Sequence, residues 1–221
     1  MVQLLLLSLF YVCYVGALRL YPKMTNLNDK IYESSRPYIF HSSKYTVYSH
    51  IDFSKDSFVN KESNDIHLRD VASAWGNGAH PTTKLCVDFL EQDGIISRGS
   101  TVLDYGTGSG ILSIIAAKLG ASECIAVDID DYAIEVANTN AKLNHCEKTI
   151  RVMHTREVTP GDSSLPTADV TIANIQPGPL SRLVAALWMF TKPGGWLCLS
   201  GMRPTELQDI RRYSMLRYCK R

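Results

Sequence analysis

The sequence predicts an α/β fold in which a mostly parallel, twisted sheet carries helices on both faces. Beyond residue 100, short apolar runs of strand length alternate with longer amphipathic stretches, and Gly, Asp, Asn or Pro residues separate them. This alternation is typical of parallel strands joined by helical crossovers. A glycine-rich turn directly follows the first apolar run, and open sheets of this kind bind ligands at such turns, beyond the carboxyl ends of their strands.

The individual elements follow from this alternation in chain order. A helix over residues 81–90 precedes the sheet, because Pro81 suits a first helical position and Leu85 and Phe89 share one face. The predicted strands are 101–105, 124–128, 150–153, 169–173 and 196–200, and the predicted helices between them are 111–119, 132–143 and 180–190. A Lys-Pro-Gly-Gly turn at residues 192–195 ends the last helix, since Pro and Gly stop helices.

Two segments precede this pattern. Residues 1–17 are mostly apolar and end in Gly16 and Ala17, as the core of a signal or targeting segment does, and a segment merely buried in the fold is the alternative. Residues 18–70 are poorly patterned, although 45–53 could add a strand, and their early part is rich in Ser, Tyr, Asn and basic residues. We expect an organelle location, plastid or mitochondrion, with the cytoplasm as the alternative. The apolar run is too short for a stable membrane anchor.

Composition narrows the class of protein. A chain of 221 residues suits one domain with extensions, and we place that domain at residues 71–221. Lys+Arg 23 against Asp+Glu 22 gives a net charge of +1, so direct nucleic-acid binding is not expected. The six cysteines are scattered without a C-x-x-C pair, which predicts reduced thiols and no metal site.

The most specific motif is the segment DYGTGSG at residues 104–110, between the first predicted strand and its helix. Gly106, Gly108 and Gly110 let a ligand approach the backbone without interference from a Cβ. The spacing is G-x-G-x-G, whereas the dinucleotide fingerprint is G-x-G-x-x-G. We therefore expect a nucleoside with an amino-acid tail, for which Asp104 supplies a carboxylate. A nicotinamide-dependent dehydrogenase and a purely structural turn are the alternatives.

Two further strand ends carry polar side chains. Asp128 ends the second predicted strand and can accept from both hydroxyls of a ribose, while Asp130 and Asp131 are expected to cap the next helix. Asn174 follows the fourth predicted strand and begins a turn that resembles the one which holds the acceptor N–H groups in many N-methyltransferases. Pro177 stands where those enzymes place an aromatic residue that stacks on a base, so an aliphatic amine is expected as acceptor. A helix cap is the alternative for both Asp128 and Asn174.

The segment AWGNGAHPTT at residues 74–83 completes a set of motifs that also includes residues 103–112, 128–130, 174–180 and 200–201. In this order they resemble the ribosomal protein L11 methyltransferase family. The resemblance implies a Rossmann-like class I methyltransferase that uses S-adenosyl-L-methionine to methylate lysine or N-terminal amines of a ribosomal protein. Carried over by position, Thr83, Gly106, Asp128 and Asn174 contact the cofactor, and Asn174 is the catalytic orienter. His80 is expected to order its own loop.

The ends of the chain depart from the family pattern. No substrate-recognition domain is recognisable before Val71, and only a helix over residues 206–218 is predicted after Gly201. The C-terminal strands of the usual sheet are therefore expected to be truncated, which would leave the fifth strand as an exposed edge. A small-molecule N-methyltransferase and a truncated, non-catalytic S-adenosylmethionine-binding protein are the alternative functions. No oligomeric state is predicted.

Overall fold

The structure is a computed structural model, and it describes residues 3–7, 38–50, 64–69, 80–159 and 165–200. The strands are β1 (Gln3–Leu7), β2 (Tyr38–His41), β3 (Thr46–His50), β4 (Asp65–Arg69), β5 (Thr101–Tyr105), β6 (Glu123–Asp128), β7 (Ile150–His154), β8 (Ala168–Asn174) and β9 (Thr191–Ser200). The helices are α1 (Pro81–Leu90), α2 (Ile111–Lys118), α3 (Asp131–Leu143) and α4 (Pro177–Phe190), with a one-turn 3-10 helix at Thr155–Glu157.

The main sheet has six strands in the order β1-β9-β8-β5-β6-β7. Every neighbouring pair is parallel, which confirms the predicted α/β fold. Because the strands are parallel, their carboxyl ends meet at one edge of the sheet. At that edge Tyr105 of β5 pairs with Val127 of β6, and Asn174 of β8 pairs with Ser200 of β9.

Helices cover both faces of the main sheet, as the sequence predicts. On one face, apolar side chains of α1 and α2 pack with alternate residues of the strands, among them Val102, Ile172 and Cys198. On the other face α4 packs on Leu197 and Leu199. The thiols of Cys124 and Cys198 are fully buried and free, so they pack as small apolar groups. Within the described ranges, none of the helices has the length and apolar character that a bilayer crossing requires.

The helix starts follow local rules that are visible in the sequence. The His80 side chain accepts from the backbone N–H of Thr82 at the start of α1, with Pro81 at the first helical position. Asp130 accepts from the N–H of Tyr132 and caps α3, and Asp131 lies in its first turn. These contacts confirm the roles predicted for His80, Asp130 and Asp131.

The predicted turn at residues 192–195 lies inside β9 rather than before it. The pairing of β8 with β9 shifts register between Ala168 and Val170, so the Pro-Gly-Gly stretch bulges out of the ladder. Gly194 has a φ of +85°, which a residue with a side chain rarely adopts. α4 also begins earlier than predicted, at Pro177.

The edge of β9 that was expected to be exposed is covered by β1. β1 runs parallel to β9, with Leu4 opposite Leu197 and Leu6 opposite Leu199. The expectation of an exposed fifth strand is therefore wrong, because an apolar segment from the N-terminus supplies the backbone partner. This placement fits the buried-segment alternative for residues 1–17, and a targeting role stays a prediction. The predicted helix over residues 206–218 lies outside the described residues.

A second sheet lies within residues 18–70, which were expected to be poorly patterned. Its order is β2-β3-β4, and β3 falls inside the strand predicted over 45–53. The side chains of Val47, Ile66 and Leu68 are buried and belong to the same apolar core as α1 and α2. This part of the chain therefore packs onto the main domain.

Candidate functional site

The glycine loop that follows β5 contacts both neighbouring strands. The N–H groups of Gly106 and Thr107 donate to the Val127 carbonyl of β6 over 2.7 and 3.0 Å. A Cβ on Gly106 would overlap the Cγ2 methyl of Ile175, the first residue after β8. The ends of β6, β5 and β8 therefore meet at this loop, and they bring Gly106, Asp128 and Asn174 into one place.

The three glycines of the loop serve different purposes. Gly106, Gly108 and Gly110 all have positive φ values, of +80°, +53° and +81°. A Cβ on Gly110 would lie only 3.3 Å from Cα and Cβ of Ala137 on α3. Gly110 therefore allows close packing of α2 on α3, while Gly106 and Gly108 form the part of the loop next to the strand ends.

Asp128 binds the glycine loop to β6. Its Oδ2 accepts from the N–H of Gly108 over 2.8 Å, and its Oδ1 accepts from the N–H groups of Ile129 and Asp130 over 2.8 and 3.1 Å. Asp130 occupies the N-cap of α3, so the cap alternative for Asp128 is wrong. A carboxylate offers about four acceptor positions, so the three N–H groups leave capacity for a ligand hydroxyl.

Asp104 lies buried beneath the loop, with no exposed surface. Its Oδ2 accepts from the hydroxyls of Thr107 and Ser113 over 2.7 and 2.8 Å and from the Ser113 N–H over 3.2 Å. Within the described part of the chain, its Oδ1 has no hydrogen-bond partner. Burial raises the pKa of Asp104 to about 6, and the negative charge of Asp128 contributes to this rise. The hydrogen bonds from Thr107 and Ser113 lower the pKa but do not cancel the effect of burial.

Asn174 is held by the first turn of α1. Its Nδ2 donates to the Thr83 hydroxyl over 3.3 Å, and Thr83 is buried whereas Asn174 is half-buried. Gln176 occupies the N-cap of α4, so the cap alternative for Asn174 is also wrong. The structure thus joins two residues that are 91 positions apart and that the resemblance names as cofactor contacts. Residues 74–79 of the same motif lie outside the described ranges.

Sequence reasoning missed two residues that shape the loop. Ser113 on α2 holds Asp104, and Asn140 on α3 donates to the Ser109 carbonyl over 2.8 Å. The signal for Asn140 was present: Asn is unfavourable inside a helix, yet Asn140 and Asn144 stand one turn apart in or beside α3. Such residues indicate contacts that outweigh helix propensity.

The parallel sheet, the G-x-G-x-G loop after a central strand and the carboxylate at the end of the next strand together define the Rossmann-like fold of class I methyltransferases. Comparison with known proteins narrows this class. The family model for "Ribosomal protein L11 methyltransferase (PrmA)" matches residues 22–217, and the chain belongs to this family.

Individual relatives agree with this assignment. This chain superimposes on the crystal structure of a ribosomal protein L11 methylase from Lactobacillus delbrueckii subsp. bulgaricus with a TM-score of 0.63 and 30% sequence identity. The superposition covers 80% of this chain and 86% of that chain. The ribosomal protein L11 methyltransferase of Ralstonia pickettii is 43% identical over 141 residues, which are 64% of this chain and 44% of the relative. That of Dechloromonas aromatica is 42% identical over 146 residues, 65% of this chain and 45% of the relative. The aligned part spans less than half the length of these two relatives.

Proposed function

We propose that this protein is an S-adenosyl-L-methionine-dependent N-methyltransferase that methylates lysine or N-terminal amines of a ribosomal protein similar to L11. The observation that carries the proposal is the meeting of Gly106, Asp128 and Asn174 at one edge of the sheet in a member of this family. The names of its relatives support the substrate class.

The residues present fit the proposed cofactor. The Oδ1 of Asp104 is a buried acceptor without a hydrogen-bond partner in the described part of the chain, and such an atom is costly unless a donor reaches it. The ammonium group of a methionine tail is a donor of the right charge. Asp128 would accept from the ribose, and Gly106 and Gly108 leave the backbone of the loop open to close approach. When bound, S-adenosylmethionine supplies an electrophilic methyl group on a sulfonium.

Asn174 is suited to orient an acceptor amine. Its amide N–H is directed to Thr83, which fixes the side chain and leaves Oδ1 to accept an N–H from the amine. The lone pair of the nitrogen is then aimed at the methyl group, and in an in-line transfer alignment is the main contribution of the enzyme. A lysine must arrive as the neutral amine, and removal of the ammonium from water lowers its pKa without a dedicated base.

Transfer of labelled methyl groups tests the proposal. The purified chain is incubated with labelled S-adenosylmethionine and, in parallel, with ribosomes or a pool of small metabolites. We expect label in one ribosomal protein, on lysine or the N-terminal amine. Label only in small molecules would indicate a small-molecule N-methyltransferase, and cofactor binding without transfer would indicate a non-catalytic protein. Tight binding of a nicotinamide cofactor instead would indicate a dehydrogenase.

We also propose an organelle location, plastid or mitochondrion, on the composition of residues 1–46. The apolar residues 1–17 and the basic, Ser- and Tyr-rich stretch that follows support it. Microscopy of the full chain with a C-terminal tag tests this proposal, and a diffuse cytosolic signal would overturn it.

A further inference from the structure

Two asparagines of α3 bind the backbone of β4. The Asn144 side chain accepts from the His67 N–H over 2.9 Å and donates to the His67 carbonyl over 2.7 Å. The Asn140 Oδ1 accepts from the Arg69 N–H over 2.7 Å. Both asparagines are buried, with exposed fractions of 0% for Asn140 and 5% for Asn144. A pair of side-chain amides therefore takes the place of a neighbouring strand along β4.

The spacing of the two elements explains why this pairing works. Asn140 and Asn144 are four residues apart on the helix, a rise of about 6 Å at roughly 1.5 Å per residue. His67 and Arg69 are two residues apart on the strand, an advance of about 6.6 Å at roughly 3.3 Å per residue. Among the described strands, β4 has a partner only in β3. The asparagines satisfy polar groups along its other side.

Asn140 differs from Asn144 in its second bond. Its Nδ2 donates to the carbonyl of Ser109 in the glycine loop over 2.8 Å, whereas the Nδ2 of Asn144 donates to His67 and to the Asn140 carbonyl. Ser109 is fully buried, and the next residue, Gly110, packs closely on Ala137, one turn before Asn140 on α3. One side chain thus connects β4 to the glycine loop.

The loop is therefore fixed from two sides. Asp128 holds the Gly108 N–H over 2.8 Å from β6, and Asn140 holds the next carbonyl, that of Ser109, from α3. β4 ends at Arg69 and α1, which carries Thr83, begins at Pro81. Asn140 therefore links the loop to the strand that precedes the helix of Thr83.

We propose that Asn140 is a positioning residue for the cofactor site: its bridge between the Ser109 carbonyl and the Arg69 N–H fixes the glycine loop in the conformation that S-adenosylmethionine binds. This inference rests on the proposed function and deepens it, since it adds a residue that sets cofactor affinity without touching the cofactor.

A matched pair of variants tests the proposal. Asn140→Asp keeps the acceptor for Arg69 and loses the donor to Ser109, while Asn144→Asp keeps the acceptor for His67 and loses the donors to β4 and to the helix. Both place a carboxylate at a buried position, so both lower the thermal midpoint of the chain. Two readouts are compared at pH 8: hydrogen exchange of the loop amides in the free chain, and S-adenosylmethionine affinity by calorimetry.

We expect Asn140→Asp to speed exchange of the amides of residues 106–110 and to weaken cofactor binding, each by about tenfold, since a buried acceptor loses its donor. Asn144→Asp should leave both close to wild type. Equal effects of the two variants, or wild-type exchange and affinity in Asn140→Asp, would overturn the proposal. Asn140→Ala and Asn144→Ala repeat the comparison if an Asp variant does not fold. Hydrogen exchange is measured on the free chain, so it reports whether Asn140 fixes the glycine loop even if no cofactor binds. A wild-type chain that fails to bind S-adenosylmethionine would refute the proposed function, and the exchange rates would still decide whether Asn140 holds the loop.

Discussion

The amide of Asn174 donates to the hydroxyl of Thr83 over 3.3 Å, and this bond joins the end of β8 to the first turn of α1. Thr83→Val removes the hydroxyl and keeps the shape of the side chain. We expect turnover to fall roughly fivefold, since a neutral hydrogen bond contributes about 1 kcal/mol and Asn174 would no longer be held in its proposed position toward the acceptor amine. Methyl-transfer kinetics with saturating cofactor measure the effect.

Thr191→Val is the matched control for this change. Thr191 is also buried, and its hydroxyl forms hydrogen bonds with the Thr171 hydroxyl and with the Leu187 carbonyl, each over 2.8 Å. It lies at the opposite end of β9 from Ser200, the partner of Asn174. We expect this variant to lose stability but to keep wild-type turnover. Equal turnover in the two variants would show that the Thr83 hydroxyl has no special role.

Asp128 is expected to supply the largest polar contribution to cofactor affinity. Asp128→Ala removes the proposed acceptor for the ribose and also the anchor of the Gly108 N–H. We predict a loss on the order of 1.5 to 3 kcal/mol in binding free energy, the range for hydrogen bonds to charged groups. Calorimetry with S-adenosylmethionine measures it, and an unchanged dissociation constant would refute the ribose assignment.

A neighbouring carboxylate separates this effect from a loss of stability. Asp130 caps α3 by accepting from Tyr132 over 3.0 Å, and Asp130→Ala should destabilise the chain by about 1 kcal/mol. Because the cap is not part of the proposed cofactor contacts, affinity should stay at the wild-type value. A matching loss of affinity in Asp130→Ala would show that the whole turn, not the Asp128 carboxylate, governs binding.

A side chain at residue 106 is unfavourable for two separable reasons. Its φ is +80°, and a Cβ would overlap Ile175. Gly120 also has a positive φ, of +108°, but no atom lies within 4 Å of its Cβ position. Gly120→Ala should therefore show the backbone cost alone, about 1 to 2 kcal/mol. Gly106→Ala should lose a further 1 to 3 kcal/mol, roughly the penalty of overpacking, together with cofactor binding.

A double variant checks the cause of that difference. Chemical denaturation compares Gly106→Ala alone with Gly106→Ala combined with Ile175→Ala. Since the smaller side chain at 175 makes room for the new methyl group, the double variant should recover part of the lost stability. No recovery would mean that the overlap with Ile175 is not the reason why residue 106 is glycine.

The sequence predicted five of the six described strands of the parallel sheet because β5 to β9 are signalled locally. β5 is an apolar run that Gly106 follows directly, and β6 and β8 are apolar runs that end in Asp128 and Asn174. Parallel strands buried on both faces form such near-continuous apolar runs. The same signals placed Gly106, Asp128 and Asn174 at strand ends, and parallel topology alone brings such ends to one edge.

Elements whose position depends on distant partners were not predictable in this way. β4 is short, and its other side is completed by Asn140 and Asn144, which lie more than 70 positions away. The apolar composition of residues 1–17 predicts a targeting segment, and nothing local indicates that β1, which lies within it, pairs with β9. The bond between Asn174 and Thr83 joins residues that are 91 positions apart, and no local pattern predicts it.

Asp104 should make both stability and cofactor affinity depend on pH. Burial raises its pKa in the folded chain from 3.8 to about 6, so the folded state binds more protons than the unfolded state between these values. Its contribution to stability is therefore present in full below pH 3.8 and is lost as pH rises through about 6. Relative to Asp104→Asn, which does not titrate, the wild type should lose up to roughly 3 kcal/mol of unfolding free energy between pH 4 and pH 7.

Bound cofactor should lower the raised pKa of Asp104, since an ammonium group beside Oδ1 favours the ionised carboxylate. Binding then releases a proton near pH 5 to 6, so the affinity of the wild type should increase as the pH is raised through this range. The total increase should be roughly tenfold for each unit by which the ammonium lowers the pKa of Asp104. Calorimetry in buffers of different ionisation enthalpy counts the released protons directly. Asp104→Asn should bind weakly and with no pH dependence in this range. A wild-type affinity that is flat from pH 5 to pH 7 would show that the ammonium does not contact Asp104.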